Sequence, residues 1–296
     1  MTFLQYYLQI LIFSAALPLG LGVAVYFCNR AFCSLVGYRR GRPILLSLHA
    51  ILTPIREFAH LVACIVTFHH VSDFCLLNLH DPEGELGFVE HSYNRKNPIA
   101  VFGNFLFAVL PAALGLFLCM LIVITCFGGV LGNLADAVSI LVESEAELGE
   151  YARLTVGFLP ALFRDATGGV LLRVVGCVLL LFLSLGVFVS IDDLCNAIPG
   201  MALYALGVFL FAGVTALFDA RSRRLILTWL RTFATGVTAL YLVVLIFAAA
   251  MLVLALIFFA FRTFFGEGKS SLPVCVAEAE NEEYDGDAYD DGDDRA

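Results

Sequence analysis

The run Ile99–Phe127, IAVFGNFLFAVLPAALGLFLCMLIVITCF, contains no charged residue and no histidine. A helix of about 20 apolar residues crosses the roughly 30 Å of hydrocarbon in a bilayer. This run is longer than that, so we expect a membrane-spanning helix that tilts or bends. Pro111 lies inside it, and a proline within a helix favours a kink.

The composition of the whole chain agrees with a lipid environment. Of its 296 residues, 60% are hydrophobic and 15% are charged, whereas soluble domains average about 45–50% and about 25%. The first partner that the sequence predicts is therefore the lipid bilayer. No Walker A, dinucleotide or nucleophile-elbow motif occurs, which argues against nucleotide binding. Nothing in the chain indicates binding of nucleic acid.

Apolar runs recur along residues 1–265, and we predict an all-α polytopic transmembrane helical bundle of about six spans. The predicted spans are Phe3–Phe27, Leu45–Val71, Ile99–Phe127, Val170–Ile191, Gly200–Phe218 and Phe233–Phe261. The first run has no basic flank and no cleavage site, so it is expected to remain as a span. A short hairpin is predicted in Ser72–Pro98, with its turn at Asp81–Gly84. Interfacial helices are predicted within residues 128–167.

The net charge of −9 arises at one end of the chain. Pro273–Ala296 holds ten acidic residues and one arginine, and the rest of the chain is neutral. Residues 266–296 are therefore predicted to form an acidic disordered tail. The nine cysteines are scattered without a CxxC pair, which favours packing roles over a disulfide framework.

Arginines in short loops predict the orientation of a multi-pass protein in the cell membrane. They cluster after the first predicted span and again after the fifth: Arg30, Arg39, Arg40, Arg42, and Arg221, Arg223, Arg224, Arg231. Six spans place both loops on one side, which would be cytoplasmic. Both termini are then predicted to be extracytoplasmic.

The second predicted span carries a polar stripe at helical spacing. Its members are three or four residues apart and share one face: His49, Thr53, Arg56, His60, Cys64 and Thr67. Glu57 flanks this face. A charge at the bilayer centre costs at least about 2.5–3.5 kcal/mol, so the stripe is expected to face the bundle interior. His69 and His70, at the end of the span, are expected to be solvated.

Two interpretations of the stripe remain open at this point. Glu57 and His60 form Glu-x-x-His, a spacing that can place both side chains on one metal ion. They also match the second half of H-E-x-x-H, in which two histidines bind zinc and the glutamate activates water. The alternative is an internal ion pair that neutralises Arg56, through Glu57 or through another helix.

A longer pattern surrounds this motif. Pro54–His60 is PIREFAH, Leu86–Asn94 is LGFVEHSYN, and Gly103–Pro111 is GNFLFAVLP. In this order the segments resemble the membrane-embedded zinc metalloproteases of the site-2 protease type. The resemblance is closest to a group of uncharacterised bacterial membrane proteins in which H-E-x-x-H precedes G-x-V-x-H-S-Y-N and G-N-F-x-x-x-x-x-P. Ser190–Leu194, SIDDL, is similar to a Ser-x-x-Asp element of that group.

The resemblance implies a role for several residues. Glu57 would be the general base, and His60 and Asp193, or Asp192 in its place, would bind zinc. His91 would be a further zinc ligand or would hold the carbonyl group of the substrate. Asn104 would hydrogen-bond an extended substrate strand, and Gly103 would allow its close approach.

One position departs from the family pattern. Arg56 stands where the first histidine of H-E-x-x-H belongs, and a guanidinium cannot ligate zinc. Either His91 completes an active site that cleaves membrane-associated substrates, or the chain is a degenerate pseudo-enzyme. In the second case Arg56 replaces the metal and pairs with Glu57 and Asp193. The alternative functions are a transporter or membrane scaffold that uses the polar stripe as an ion or proton path, and a structural protein whose acidic tail recruits a basic partner. A membrane protein is a possible substrate or partner.

Overall fold

A computed structural model describes residues 2–36, 38–78, 86–143 and 148–265. The predicted acidic tail 266–296 and the predicted turn Asp81–Gly84 lie outside these described residues. In chain order the elements are α1 (Phe3–Val36), α2 (Tyr38–Val66), β1 (His70–Cys75), β2 (Phe88–Ser92), α3 (Pro98–Phe127), α4 (Val130–Glu143), α5 (Leu148–Arg164), α6 (Val170–Ser184), α7 (Ile191–Asn196), α8 (Ile198–Ala216) and α9 (Ala220–Phe265).

The predicted all-α bundle is confirmed. Five helices are long and apolar enough to cross a membrane: α1, residues Ile44–Val66 of α2, α3, α8 and residues Ala220–Phe261 of α9. Large apolar side chains cover the outside of the bundle; Leu171, for example, is 79% exposed. Such a surface fits contact with lipid, and the chain is a multi-pass membrane protein.

The fourth and fifth predicted spans form a single pass through the bundle. Successive residues of α6–α8 pack against progressively earlier residues of α3: Gly176 against Cys126, Val187 against Gly115, and Gly200 against Phe105. The segment therefore runs antiparallel to α3 along most of its length. Helix α6 ends at Ser184, so the predicted helical span Val170–Ile191 is wrong in its last third.

Helix α6 and helix α7 are separated by a break between Ser184 and Ile191. Leu185 caps the end of α6 in the helical region, with φ −77° and ψ −14°, whereas Ser190 before α7 is extended, with φ −66° and ψ 143°. The Val189 N–H donates to the Gly22 carbonyl of α1, 3.4 Å away. Because the residues remain apolar throughout, hydropathy does not reveal the change from helix to extended backbone.

The merged pass changes the predicted arrangement of the two arginine-rich connections. The Tyr6 hydroxyl donates to Thr215 Oγ1 at 3.1 Å, so the α8–α9 connection lies beside the start of α1. Near the other end of α1, Cys33 Sγ lies 3.8 Å from His49 Nε2 of α2. The two connections are thus at opposite ends of the bundle, and the parity argument that placed both on one side is wrong.

Helix α9 begins earlier than the sixth predicted span. Arg221, Arg223, Arg224 and Arg231 belong to this helix rather than to a loop. Arg231 Nη2 donates to Gln9 Oε1 at 3.4 Å, and Tyr241 lies beside Gly22, so α9 runs parallel to α1. Residues 3 and 265 consequently lie at opposite ends of the bundle.

The predicted hairpin is confirmed and lies alongside α2. Strands β1 and β2 pair antiparallel, with Val71 opposite His91 and an irregular register between Val71 and Asp73. Gly87, near the turn end of the hairpin, packs against the Thr53 side chain. Thr53 is in the middle of the candidate span Ile44–Val66. The hairpin therefore folds back to the depth of that span.

Candidate functional site

The end of α2 fixes two potential ligands relative to each other. The His69 N–H donates to the Cys64 carbonyl at 2.9 Å, and the Phe68 N–H donates to the Ile65 carbonyl at 3.5 Å. Phe68 has a φ of 59°. This bonding pattern with a left-handed residue is the Schellman motif, in which glycine is usual. The turn directs His69 back towards the last turns of α2.

A close helix contact holds His69 against α3. A Cβ atom at Gly103 would overlap Thr67 Oγ1 and would lie 2.6 Å from His69 Nε2, so only glycine leaves room here. The His69 ring nitrogen Nε2 lies 2.8 Å from the Ala100 carbonyl oxygen. Since a carbonyl only accepts, Nε2 carries the hydrogen. The Nδ1 atom then carries the lone pair, and it is buried without a hydrogen-bond partner in the described residues.

The hairpin brings a second histidine to the same place. The His91 ring stacks on the His69 ring with 5.1 Å between centroids and an angle of 15°. The ring of Phe107 in α3 packs against both the His91 and the His60 rings, with centroid distances of 4.5 Å and 3.9 Å respectively. Tyr93 stacks on His69 at 5.1 Å. A group of aromatic rings therefore links the hairpin to α2 and α3.

Three potential metal ligands meet at this point. Cys64, His69 and His91 each offer one ligand atom, and these atoms all lie within 4.8 Å of one another. Cys64 is fully buried and His69 is 7% exposed. We call these three residues the Cys–His cluster. A thiol and two imidazoles in such proximity could hold a metal ion.

The environment of His91 favours its neutral form. Burial lowers the pKa of His91, and the neighbouring His69 lowers it too, while the Val89 carbonyl and Asp193 act in the opposite direction. A neutral imidazole has a lone pair available for a metal ion.

An ion pair lies deeper on the same face of α2. Arg56 Nη2 donates to Asp193 Oδ2 of α7 at 2.9 Å. The guanidinium also lies over the Phe188 ring, with 5.6 Å between Arg56 Cζ and the ring centroid. His60 Nε2 is 4.0 Å from the same Asp193 oxygen. We call Arg56, Asp193 and His60 the ion-pair region.

The predicted site residues are divided between these two regions. The set of His60, Asp193 and His91 does not form a three-ligand group, because within the described ranges only the Cys–His cluster satisfies that spacing. Glu57 is buried, and its side chain is not without an interaction partner. Asn104 is also buried.

The rest of the polar stripe contacts other elements, as its predicted interior position requires. Thr53 packs on Gly87 of the hairpin, and Gly103, predicted to face substrate, packs on Thr67 of α2. His49 lies beside Cys33 of α1. The stripe therefore lines a surface that the bundle itself covers.

Comparisons with models of protein families, with curated proteins and with solved structures find no match for this chain.

Sequence reasoning missed two of the three members of the Cys–His cluster. Cys64 belongs to the polar stripe, but a lone cysteine in a helix is usually a packing residue. The sequence predicts a solvated His69, and this is wrong: His69 is buried because the Schellman turn folds it under α3. The available signal was that Cys64 and His69 lie on either side of the end of α2, close together in sequence, and that His91 lies in the second strand of the hairpin that follows.

Proposed function

We propose that this membrane protein resembles the site-2-type metalloproteases in architecture but does not hydrolyse peptides, and that it binds an extended segment of another membrane protein. Arg56 takes the place of the catalytic zinc in this proposal. The observation that carries it is the 2.9 Å ion pair between Arg56 and Asp193.

The ion pair supports loss of the metal through charge balance. The Asp193 carboxylate is 16% exposed, and a carboxylate so largely removed from water is stabilised by a cation. In an active enzyme of this type the zinc would supply that charge. Here the guanidinium supplies a permanent charge and a hydrogen bond to Asp193 Oδ2. A zinc ion at the same carboxylate would have to displace Arg56, leaving a second cation beside the metal.

The hairpin supports the binding part of the proposal. Within the described residues β1 and β2 form a sheet of two strands, so each strand has one edge without a strand partner. Backbone N–H and C=O groups at the depth of the bilayer require hydrogen-bond partners. An extended peptide that adds to such an edge would provide them.

The test compares wild type with Arg56→His, which restores both histidines of H-E-x-x-H. We expect no chelator-sensitive cleavage of labelled membrane peptides by the reconstituted wild type. Arg56→His should bind about one zinc ion per chain more than wild type. Cleavage by wild type that is lost in Glu57→Gln would disprove the non-hydrolytic assignment, and an unchanged zinc content in Arg56→His would disprove the replacement of zinc by arginine.

The binding part has its own readout in the same reconstituted protein. A photocrosslinker at exposed Ser72 on β1 should capture peptide, whereas one at lipid-exposed Leu171 on α6 should not. Equal capture at both positions would indicate partition of the peptide into lipid, and would count against an edge-binding site.

A second candidate function, ion or proton transport, is favoured by one observation. The pass that contains α6–α8 is interrupted between Ser184 and Ile191, and Asp193 follows the interruption. Broken helices that carry charged residues at membrane depth are typical of transport sites. A proton or ion flux through vesicles that contain wild type, absent with Arg56→Met, would favour this function over peptide binding.

A further inference from the structure

We propose that Cys64, His69 and His91 form a binding site for a d10 metal ion that accepts thiolate, Zn²⁺ or Cu⁺. The site is separate from the ion-pair region and does not depend on the function proposed above. Its ligands would be Cys64 Sγ, His69 Nδ1 and one ring nitrogen of His91. One ligand atom from each of these three residues lies within 4.8 Å of the other two.

His69 supplies the strongest support. Its Nε2–H is engaged by the Ala100 carbonyl at 2.8 Å, which leaves the lone pair on Nδ1. That atom is buried and has no hydrogen-bond partner among the residues described, although buried polar atoms are rarely left unpaired. Metal-binding histidines characteristically donate their other ring N–H to a backbone carbonyl or carboxylate. A metal ion at Nδ1 would complete this arrangement.

The backbone holds the three ligands before any metal arrives. The Schellman hydrogen bond from His69 N–H to the Cys64 carbonyl couples the first two. The strand register fixes the third ligand, His91. This residue pairs with Val71, which follows His69 by two positions in the sequence. Gly103 then lets α3 close against His69. Ligands placed on secondary-structure elements and supported by a second layer of contacts give precise sites.

The distances fit a metal after a small closure. Zinc bonds sulfur at about 2.3 Å and imidazole nitrogen at about 2.0–2.1 Å, which puts ligand atoms about 3.3–3.8 Å apart in a tetrahedron. The present limit of 4.8 Å therefore requires side-chain movements of up to about 1 Å. Three protein ligands would leave a fourth position open on Zn²⁺, whereas Cu⁺ would be satisfied by three.

The donor set selects the class of metal. A thiolate and two imidazoles suit zinc and copper, while magnesium and calcium prefer oxygen ligands. Within the cluster there is no carboxylate.

The experiment measures metal binding and sulfur coordination in the full chain, purified in detergent. The protein is dialysed against zinc, or titrated anaerobically with Cu⁺, and X-ray absorption then identifies the first coordination shell. We expect about one ion per chain, with one sulfur at about 2.3 Å and, for zinc, two nitrogens at about 2.0–2.1 Å. Cys64→Ser should lose the sulfur shell, and Cys64→Ser and His69→Gln should each weaken binding at least tenfold.

Matched variants control for non-specific effects. Cys119 is another fully buried cysteine, on α3 away from the cluster, and His70 is the exposed neighbour of His69. Cys119→Ser and His70→Ala should bind metal as wild type does. Since the sulfur shell is first measured on wild type, detection of a sulfur-bound metal does not depend on how well any variant folds, and the variants then assign the sulfur to Cys64.

Three outcomes would overturn the inference. These are absence of both metals from folded wild type, a shell of nitrogen and oxygen only, and retention of the sulfur shell in Cys64→Ser. Loss of metal in His60→Ala or Asp193→Asn but not in Cys64→Ser would also overturn it, and would count against the non-hydrolytic function as well. Failure of the Cys–His site alone leaves the Arg56→His result unaffected, so the two proposals fail separately.

Discussion

The ion-pair region and the Cys–His cluster occupy one face of α2, about two helical turns apart. They differ in whether their polar groups have charged partners within the protein. In the first, Arg56 meets a carboxylate from α7 at 2.9 Å, so positive and negative charges balance within the protein. In the second, a thiol and two imidazoles meet without a charged partner among them, and His69 Nδ1 has no described hydrogen-bond partner. A membrane protein can tolerate polar groups at depth by internal pairing or by binding a ligand. The ion-pair region shows the first arrangement, and the metal site proposed above would be the second.

The largest expected effect comes from breaking the ion-pair region. Arg56→Met leaves Asp193 without its cation, and removal of one partner from a fully buried pair costs about 3–5 kcal/mol. The Arg56 side chain is 36% exposed, so we expect a smaller loss of about 1–3 kcal/mol in the free energy of unfolding, measured in detergent. The double variant Arg56→Met/Asp193→Leu should recover most of this loss.

An exposed pair provides the control for that experiment. Arg153 and Glu150 form an ion pair one helical turn apart in α5, with side chains 82% and 49% exposed. Arg153→Met should change the free energy of unfolding by less than about 0.5 kcal/mol. If Arg153→Met and Arg56→Met have the same effect, the Arg56–Asp193 contact is a surface interaction and the comparison between the two regions no longer holds.

The next effect breaks the Cys–His cluster by steric means. Gly103→Ala would place a Cβ atom against Thr67 and 2.6 Å from His69 Nε2. Overpacking of this kind typically costs about 1–3 kcal/mol, and we expect that loss together with weaker metal binding. A Cβ atom added at Gly207 in α8 would have no neighbouring atom within 4 Å among the described residues, so Gly207→Ala should be neutral or stabilising. Equal melting temperatures for the two variants would contradict the close contact of α2 with α3.

The two regions also differ in how far the sequence predicts them. Helical spacing places Arg56 and His60 on one face of a span. This periodicity depends only on the sequence of the helix itself and not on the element that packs against it. The partner of Arg56 follows only from a family resemblance, because Asp193 is far away in sequence and its approach depends on the broken pass. Hydropathy assigns residues 185–190 to a span, since extended and helical segments in lipid are equally apolar.

The Cys–His cluster is harder to predict because its geometry depends on an exception. A helix end with a left-handed residue usually has glycine at that position, and here the residue is Phe68. Nothing in the residue types indicates that the chain turns back at that point, so His69 is interpreted as a solvated helix end. The hairpin is predicted from its turn residues, but its contact with α2 depends on the close approach of Gly87 to Thr53, and the approach of α3 to His69 depends on Gly103. Both are contacts between residues distant in sequence.

The smallest expected effect comes from relieving backbone strain beside the Cys–His cluster without altering its ligands. A non-glycine residue in the left-handed conformation costs about 1–2 kcal/mol, and the Phe68 side chain is 73% exposed, so little packing is lost on its removal. Phe68→Gly should raise the free energy of unfolding by about 0.5–1 kcal/mol and leave metal binding unchanged.

Phe58, 50% exposed in the interior of α2, is the matched control, because glycine there costs about 1 kcal/mol relative to good helix formers. Opposite signs for the two substitutions, measured by thermal unfolding, would establish that the turn at Phe68 is strained. A loss of stability in both would mean that the Phe68 side chain holds His69 in place through contacts of its own, and the Cys–His cluster would then depend on side-chain packing rather than on the backbone turn.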